Sequence, residues 1–125
     1  MFSATLLDHF QNPRNSGEMR DPTAQVEISN PVCGDILRLA VRVNAGIVQE
    51  ARFLCRGCTA SIACASLLTE KITGRTLNDL TKITSQSIAT ELGGLPPASA
   101  HAAQLAAEAL QAILKALTNK PNSTS

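Results

Sequence analysis

The stretch Ile36-Leu-Arg-Leu-Ala-Val-Arg-Val43 decides the fold. Its odd positions, Leu37, Leu39, Val41 and Val43, are apolar while Arg38 and Arg42 point the other way, the period-two alternation of a strand with one buried and one wet face. Asn44-Ala-Gly46 follows as a reversal. Ile47 to Leu54 then reads as the antiparallel partner, with Ile47, Ala51 and Phe53 expected on one face. Upstream, Val26 and Ile28 alternate with Gln25, Glu27 and Ser29 and predict a weaker strand ending at Asn30-Pro31. From Ala24 to Cys55 the chain therefore reads as strands in a meander.

After Gly57 the period changes. Ile62, Ala65, Leu68 and Ile72 recur at helical spacing, and Gly74 stands where that helix would stop. Thr76-Leu-Asn-Asp79 carries the start signal of a short helix continued by Leu80 and Ile83. Ser85 to Leu92 predicts another, broken by Gly93-Gly94-Leu95-Pro96-Pro97. Ala98 to Leu117 reads as the last long helix. Its inner stripe is His101, Leu105, Ala109, Ile113 and Leu117, with Leu110 and Leu114 beside it, so His101 faces inward from the first turn. Ahead of the strands, Ala4 to Gln11 predicts one or two helical turns stopped by Asn12-Pro13. The expectation is one α+β domain over residues 1–117, with 118–125 as a disordered polar tail.

A chain of 125 residues is long enough to bury one core, and 44% hydrophobic with 17% charged residues is a globular composition. The formal net charge of +1 supplies no broad attraction to nucleic acid or to a membrane surface, so neither is expected as a partner. No basic start followed by an apolar run opens the chain, and no stretch approaches the roughly 18 apolar residues of a membrane span. Four cysteines without an export signal point to the cytoplasm, where thiols bind metal or do redox chemistry more often than they form disulfides.

Three separated segments carry candidate ligands, each beside a Gly or Pro that shapes the backbone: Pro31-Val-Cys-Gly-Asp35, Arg56-Gly-Cys58, and Leu95-Pro-Pro97 followed by His101. Cys33 and Asp35 are two apart, so in extended or turn backbone both side chains can face one side. Either the pair chelates, or Asp35 caps a turn and Cys33 packs as a small hydrophobe. Cys58 falls at the first turn of a helix, where free N–H groups favour a thiolate; it reads as a ligand or sulfur acceptor, or else as a core residue stacked one turn above Ile62. Cys55-Arg-Gly-Cys58 has the spacing of a redox pair but lacks the β-α-β context such a pair needs. Cys64, six residues past Cys58 on a helix, is about 9 Å further along and is read as packing. His9 reads as a surface or capping residue.

These pieces together resemble the NifU/IscU-type iron-sulfur cluster assembly scaffolds over nearly the whole chain. The matching residues are Asp8-His-Phe-Gln-Asn-Pro-Arg-Asn15 with Gly17, Asn30-Pro-Val-Cys-Gly-Asp35, Ala51-Arg-Phe53 with Gly57-Cys58, Ser61-Ile-Ala63 to Ser66, Thr69-Glu70, Lys71 to Gly74, and Leu92-Gly-Gly-Leu-Pro-Pro97 with His101. The resemblance implies a three-stranded antiparallel sheet with helices packed on one face. It implies a scaffold or carrier rather than an enzyme, with Cys33, Asp35, Cys58 and His101 holding or surrounding a transient cluster, [2Fe-2S] by expectation, or Zn2+. The implied partners are a cysteine desulfurase and cluster-acceptor proteins. Two departures stand out. The family's third ligand cysteine directly follows this histidine, where the chain has Ala102, and Cys55 is then the candidate auxiliary ligand or sulfur relay. Leu95-Pro-Pro-Ala-Ser99 lacks the lysine of the family's chaperone-recognised stretch, which weighs against an Hsp70-type chaperone as partner. The alternatives to a cluster scaffold are a zinc-bound sulfur acceptor serving a desulfurase and a degenerate member acting as a binding module.

Overall fold

The structure is a computed structural model that describes residues 2–30 and 34–118. Cys33 and most of the 118–125 tail lie outside the described residues. Strands β2 (Asp35–Asn44) and β3 (Ile47–Arg56) pair antiparallel around Ala45 and Gly46, whose φ values of 55° and 76° make the two-residue turn that matches strand twist. Leu39 opposes Phe53 and Val41 opposes Ala51, all facing the core. The register shifts between Arg42 and Val43, so Val43 pairs with Val48 and Gln49 is the extra residue of a bulge. This corrects one expectation from the alternation: Val48, not Ile47, shares the buried face with Ala51 and Phe53, and Ile47 is 37% exposed. One inserted residue flips the phase of everything beyond it.

Strand β1 (Ala24–Asn30) pairs antiparallel with the other side of β2, giving the order β1-β2-β3. The outer face carries Arg38 paired with Glu27, and Arg42 and Arg52 both paired with Glu50. Half-exposed pairs of this kind contribute little stability, and their role is to keep that face wet. The free edge of β3 is covered by an irregular segment, in which Gly17 N–H donates to the Phe53 carbonyl and Phe53 N–H donates to the Asn15 carbonyl.

Helix α2 (Thr59–Ile72) packs against β3 and between the first and last helices. Being buried on nearly all sides, it uses small residues, Ala60, Ala63, Cys64 and Ala65, for close approach. It ends at Thr73, and Gly74, at φ 84°, turns the chain away. Helix α1 (Ala4–Gln11) is capped by Ser3 and lies on α2. His9 is not at the surface: it is 4% exposed, with Nδ1 at 2.8 Å from Ser66 Oγ and Nε2 at 3.6 Å from Glu70 Oε1. Burial first, and then the Arg14 guanidinium, hold its pKa below the ordinary 6.5. The short helices α3 (Leu77–Leu80) and α4 (Ser85–Glu91) start at Thr76 and Thr84, whose hydroxyls accept from the first-turn N–H groups.

Pro97–Ser99 form a 3-10 turn, so the last helix, α5 (Ala100–Thr118), begins two residues later than its apolar pattern suggests. Leu105, Ala109, Leu110 and Ile113 are buried against β1, β2 and α2. One contiguous core joins these helices to the inner face of the sheet. No helix among the described residues is long and apolar enough to cross a membrane.

Candidate metal centre

Leu37, Leu39 and Val41 set the inward phase of β2, and Asp35 is in that phase. A carboxylate therefore stands where the apolar stripe would continue, at the end of the sheet and only 4% exposed. Strand β3 runs past it to Arg56, Gly57 turns the chain, and Cys58 becomes the N-cap of α2. The Cys58 carbonyl accepts the Ile62 N–H at 3.1 Å while its side chain makes no capping bond, so Sγ at this helix N-terminus is not spent on the helix. The third segment arrives through Pro96 and the 3-10 turn, which set His101 in the first turn of α5.

Those three side chains meet. Asp35 Oδ2 lies 3.4 Å from His101 Nε2, Cys58 Sγ lies 3.9 Å from His101 Nε2, and Cys58 Sγ lies 4.0 Å from Asp35 Oδ2. They are the one group of three or more His, Cys, Asp or Glu ligand atoms gathered within 4.8 Å among the described residues. Sulfur, nitrogen and oxygen donors on one tetrahedral ion stand about 3.4–3.6 Å apart, so small movements would bring this set onto a common metal. Cys58 is exposed and His101 half-exposed, so an ion, a sulfur donor or an acceptor can reach the group from outside.

Two residues that the sequence did not single out in these roles build the site. The Ser61 hydroxyl donates to Asp35 Oδ2 and lies 3.3 Å from Cys58 Sγ. Gly57 is needed for space rather than for a special backbone angle: a Cβ there would sit 2.9 Å from Asp35 Cγ and 3.0 and 3.2 Å from its two oxygens. The signal for Ser61 was its spacing, three residues after Cys58 on one helix face.

The other thiols behave differently. Cys55 is the register partner of Leu37 and so faces inward near the site, but it is not among the three convergent ligands. Burial, with the charges of Asp35 and Cys58 adding, pushes its thiol up to about 12. Cys64 is fully buried and is likewise pushed up to about 12 by burial. Ala102, next to His101, is 1% exposed and packs in the core. Cys33, two residues before Asp35, lies outside the described residues.

A three-stranded sheet backed by helices, with thiol, carboxylate and imidazole converging at one open end, defines a domain suited to carrying a metal. Comparison with known proteins gives the family. The family model described as the NifU-like N terminal domain matches residues 1–124, and the chain belongs to that family. An iron-sulfur cluster assembly scaffold protein IscU of Azotobacter vinelandii is 39% identical over 123 residues, which is 95% of each chain. A scaffold protein of the same description, IscU 1 of Archaeoglobus fulgidus, is 40% identical over 111 residues, 89% of this chain and 72% of that one. The crystal structure of a NifU-like protein (N-terminal) from Brucella abortus superposes with a TM-score of 0.79 at 16% identity, covering 94% of both chains. That likeness shows the α+β fold.

Proposed function

We infer that this protein is an iron-sulfur cluster assembly scaffold: a carrier, not an enzyme, that receives iron and sulfur, holds them briefly as a cluster and passes the cluster on. The observation that carries the reading is the meeting of Asp35, Cys58 and His101 at one accessible point, reached from three separate parts of the chain. Membership of the family and relatives near 40% identity that are named as scaffolds support it. In this reading Cys58 and Cys33 are the thiolate ligands, Asp35 is an oxygen ligand that keeps the cargo exchangeable, and His101 is the fourth. The cargo is a transient [2Fe-2S] cluster, the sulfur comes from a cysteine desulfurase, and acceptor proteins take the product. The thiols need a reducing compartment, the cytoplasm in this reading. Ala98 and Ser99 after the prolines weigh against an Hsp70-type chaperone as a partner in this reading. Cys55 has no ligand role in this reading, because it is not among the three side chains that converge.

One specific observation favours a second reading. A sulfur, oxygen and nitrogen set at these separations, with Ala102 beside His101, suits Zn2+ better than a cluster that prefers four thiolates. The protein would then be a zinc-bound sulfur acceptor serving a desulfurase. Anaerobic reconstitution with iron and sulfide separates the two. A scaffold develops visible charge-transfer absorption and acid-labile sulfide, both lost with alanine at Cys33, Cys58 or His101. A colourless protein holding about one zinc per chain would refute the cluster reading.

A further inference from the structure

The Ser61 hydroxyl has one proton and two neighbours in the site. It donates that proton to Asp35 Oδ2, from β2, and its oxygen lies 3.3 Å from Cys58 Sγ one turn earlier on α2. Ser61 is 1% exposed, so bulk water does not compete for the bond. Ser61 donates its one proton to Asp35, and a serine hydroxyl is not among the usual ligands of such an ion, so Ser61 acts on the site through Asp35. The carboxylate needs an outside restraint, because the last torsion of an Asp side chain is broad and two-fold. Gly57 leaves room for it, since an added Cβ there would meet Cγ and both oxygens, but it offers no bond that selects one oxygen. Ser61 does tell them apart, since its hydrogen bond is to Oδ2, the oxygen 3.4 Å from His101 Nε2.

We propose that Ser61 is a positioning residue that sets the metal affinity of the site by fixing Asp35 with Oδ2 turned towards Cys58 and His101, a role that rests on the ligand reading above. Partners that orient a metal ligand in this way typically hold about 10–100-fold in affinity. Ser61→Ala removes the hydroxyl without disturbing the helix, because alanine is the best helix former, and it takes from the buried Asp35 Oδ2 the donor that holds it.

The test is anaerobic Co2+ titration of the full chain as wild type, S61A, D35N and S61A/D35N, with apo thermal unfolding as the check on folding. Wild type is expected to give sulfur-to-cobalt charge-transfer absorption; if it gives none, the ligand reading fails and takes this proposal with it. Where wild type binds, S61A is expected to raise the Kd about tenfold. In the D35N background the same change is expected to alter Kd by less than about twofold, since the residue through which Ser61 acts has been altered. An S61A protein that binds like wild type overturns the proposal, as do fully additive losses. A shifted charge-transfer band at unchanged Kd assigns the hydroxyl to Cys58 instead and also overturns it.

Discussion

Gly57→Ala attacks the site through space alone. The new Cβ would stand 2.9 Å from Asp35 Cγ, and relief to an ordinary contact needs a movement of about 0.5 Å. Turning the carboxylate about its last torsion cannot supply it, because Cγ lies on that axis and is itself the closest atom. Either the Asp35 side chain swings away or the Gly57 backbone retreats. In the first case Oδ2 leaves Ser61 and His101; in the second Cys58, the next residue, moves with Gly57, and the triangle opens at its sulfur corner. Both routes cost about 1–3 kcal/mol of apo stability, as overpacking does. Both should also lower metal affinity by about 10–100-fold. Competition between the protein and a chromophoric chelator for Zn2+ measures the affinity, and urea unfolding of the apo protein measures the stability. A G57A protein that folds and binds Zn2+ within about twofold of wild type would show that the close approach of Asp35 to Gly57 does not shape the site.

The remaining predictions concern the thiols and the buried histidine. In the native apo protein a thiol alkylating agent at neutral pH should modify Cys58 well before Cys55 and Cys64, whose buried thiols are pushed up to about 12; peptide mass mapping with time reads the order, and early labelling of Cys64 would contradict the packing. Cys55→Ser should leave Zn2+ or cluster content within about twofold of wild type, and loss of metal would restore Cys55 as a ligand. Because burial holds the folded pKa of His9 below its ordinary 6.5, the unfolded chain binds more protons between the two values. Stability is therefore full above about pH 6.5 and falls as pH drops towards the folded pKa, by at most about 1.4 kcal/mol per pH unit from this group. His9→Gln should flatten that part of the urea-unfolding pH profile, and an unchanged slope would place the acid sensitivity elsewhere.

The alternation in Ile36 to Val43 was enough to orient β2, and it carried more than it was asked for. Once Leu37, Leu39 and Val41 are inward, Asp35 must be inward too, and a charged residue in the core phase at a strand end is itself a site signal. The helical spacing after Gly57 gave α2, and the apolar stripe of α5 brought His101 to the correct end of the molecule. What failed depends on pairings that no local pattern contains. The bulge at Gln49 is a property of how β3 meets β2, so the face assigned to Ile47 was wrong by one residue. His9 looked peripheral because its partners, Ser66 and Glu70, are more than fifty residues away in sequence. Gly57 looked like a turn residue because the aspartate that needs its bare Cα comes from another strand.

The three convergent ligands sit at the starts of three elements: Asp35 opens β2, Cys58 caps α2, and His101 lies in the first turn of α5. Element ends are where local opening costs least, so a site made from three of them can loosen without unfolding the core behind it. The tie between the ends is polar rather than apolar, since Ser61, Asp35, Cys58 and His101 touch through hydrogen-bond-length contacts and not through packed hydrocarbon. Each bond in such a set is worth about 1–3 kcal/mol net, so a bound metal adds to the order of the site. By linkage, whatever binds must then stabilise the ends more than the centre of the fold. A carrier needs that division: a core of leucine and alanine that keeps its shape whether loaded or empty, and a mouth whose geometry is completed by the cargo and relaxes when the cargo leaves.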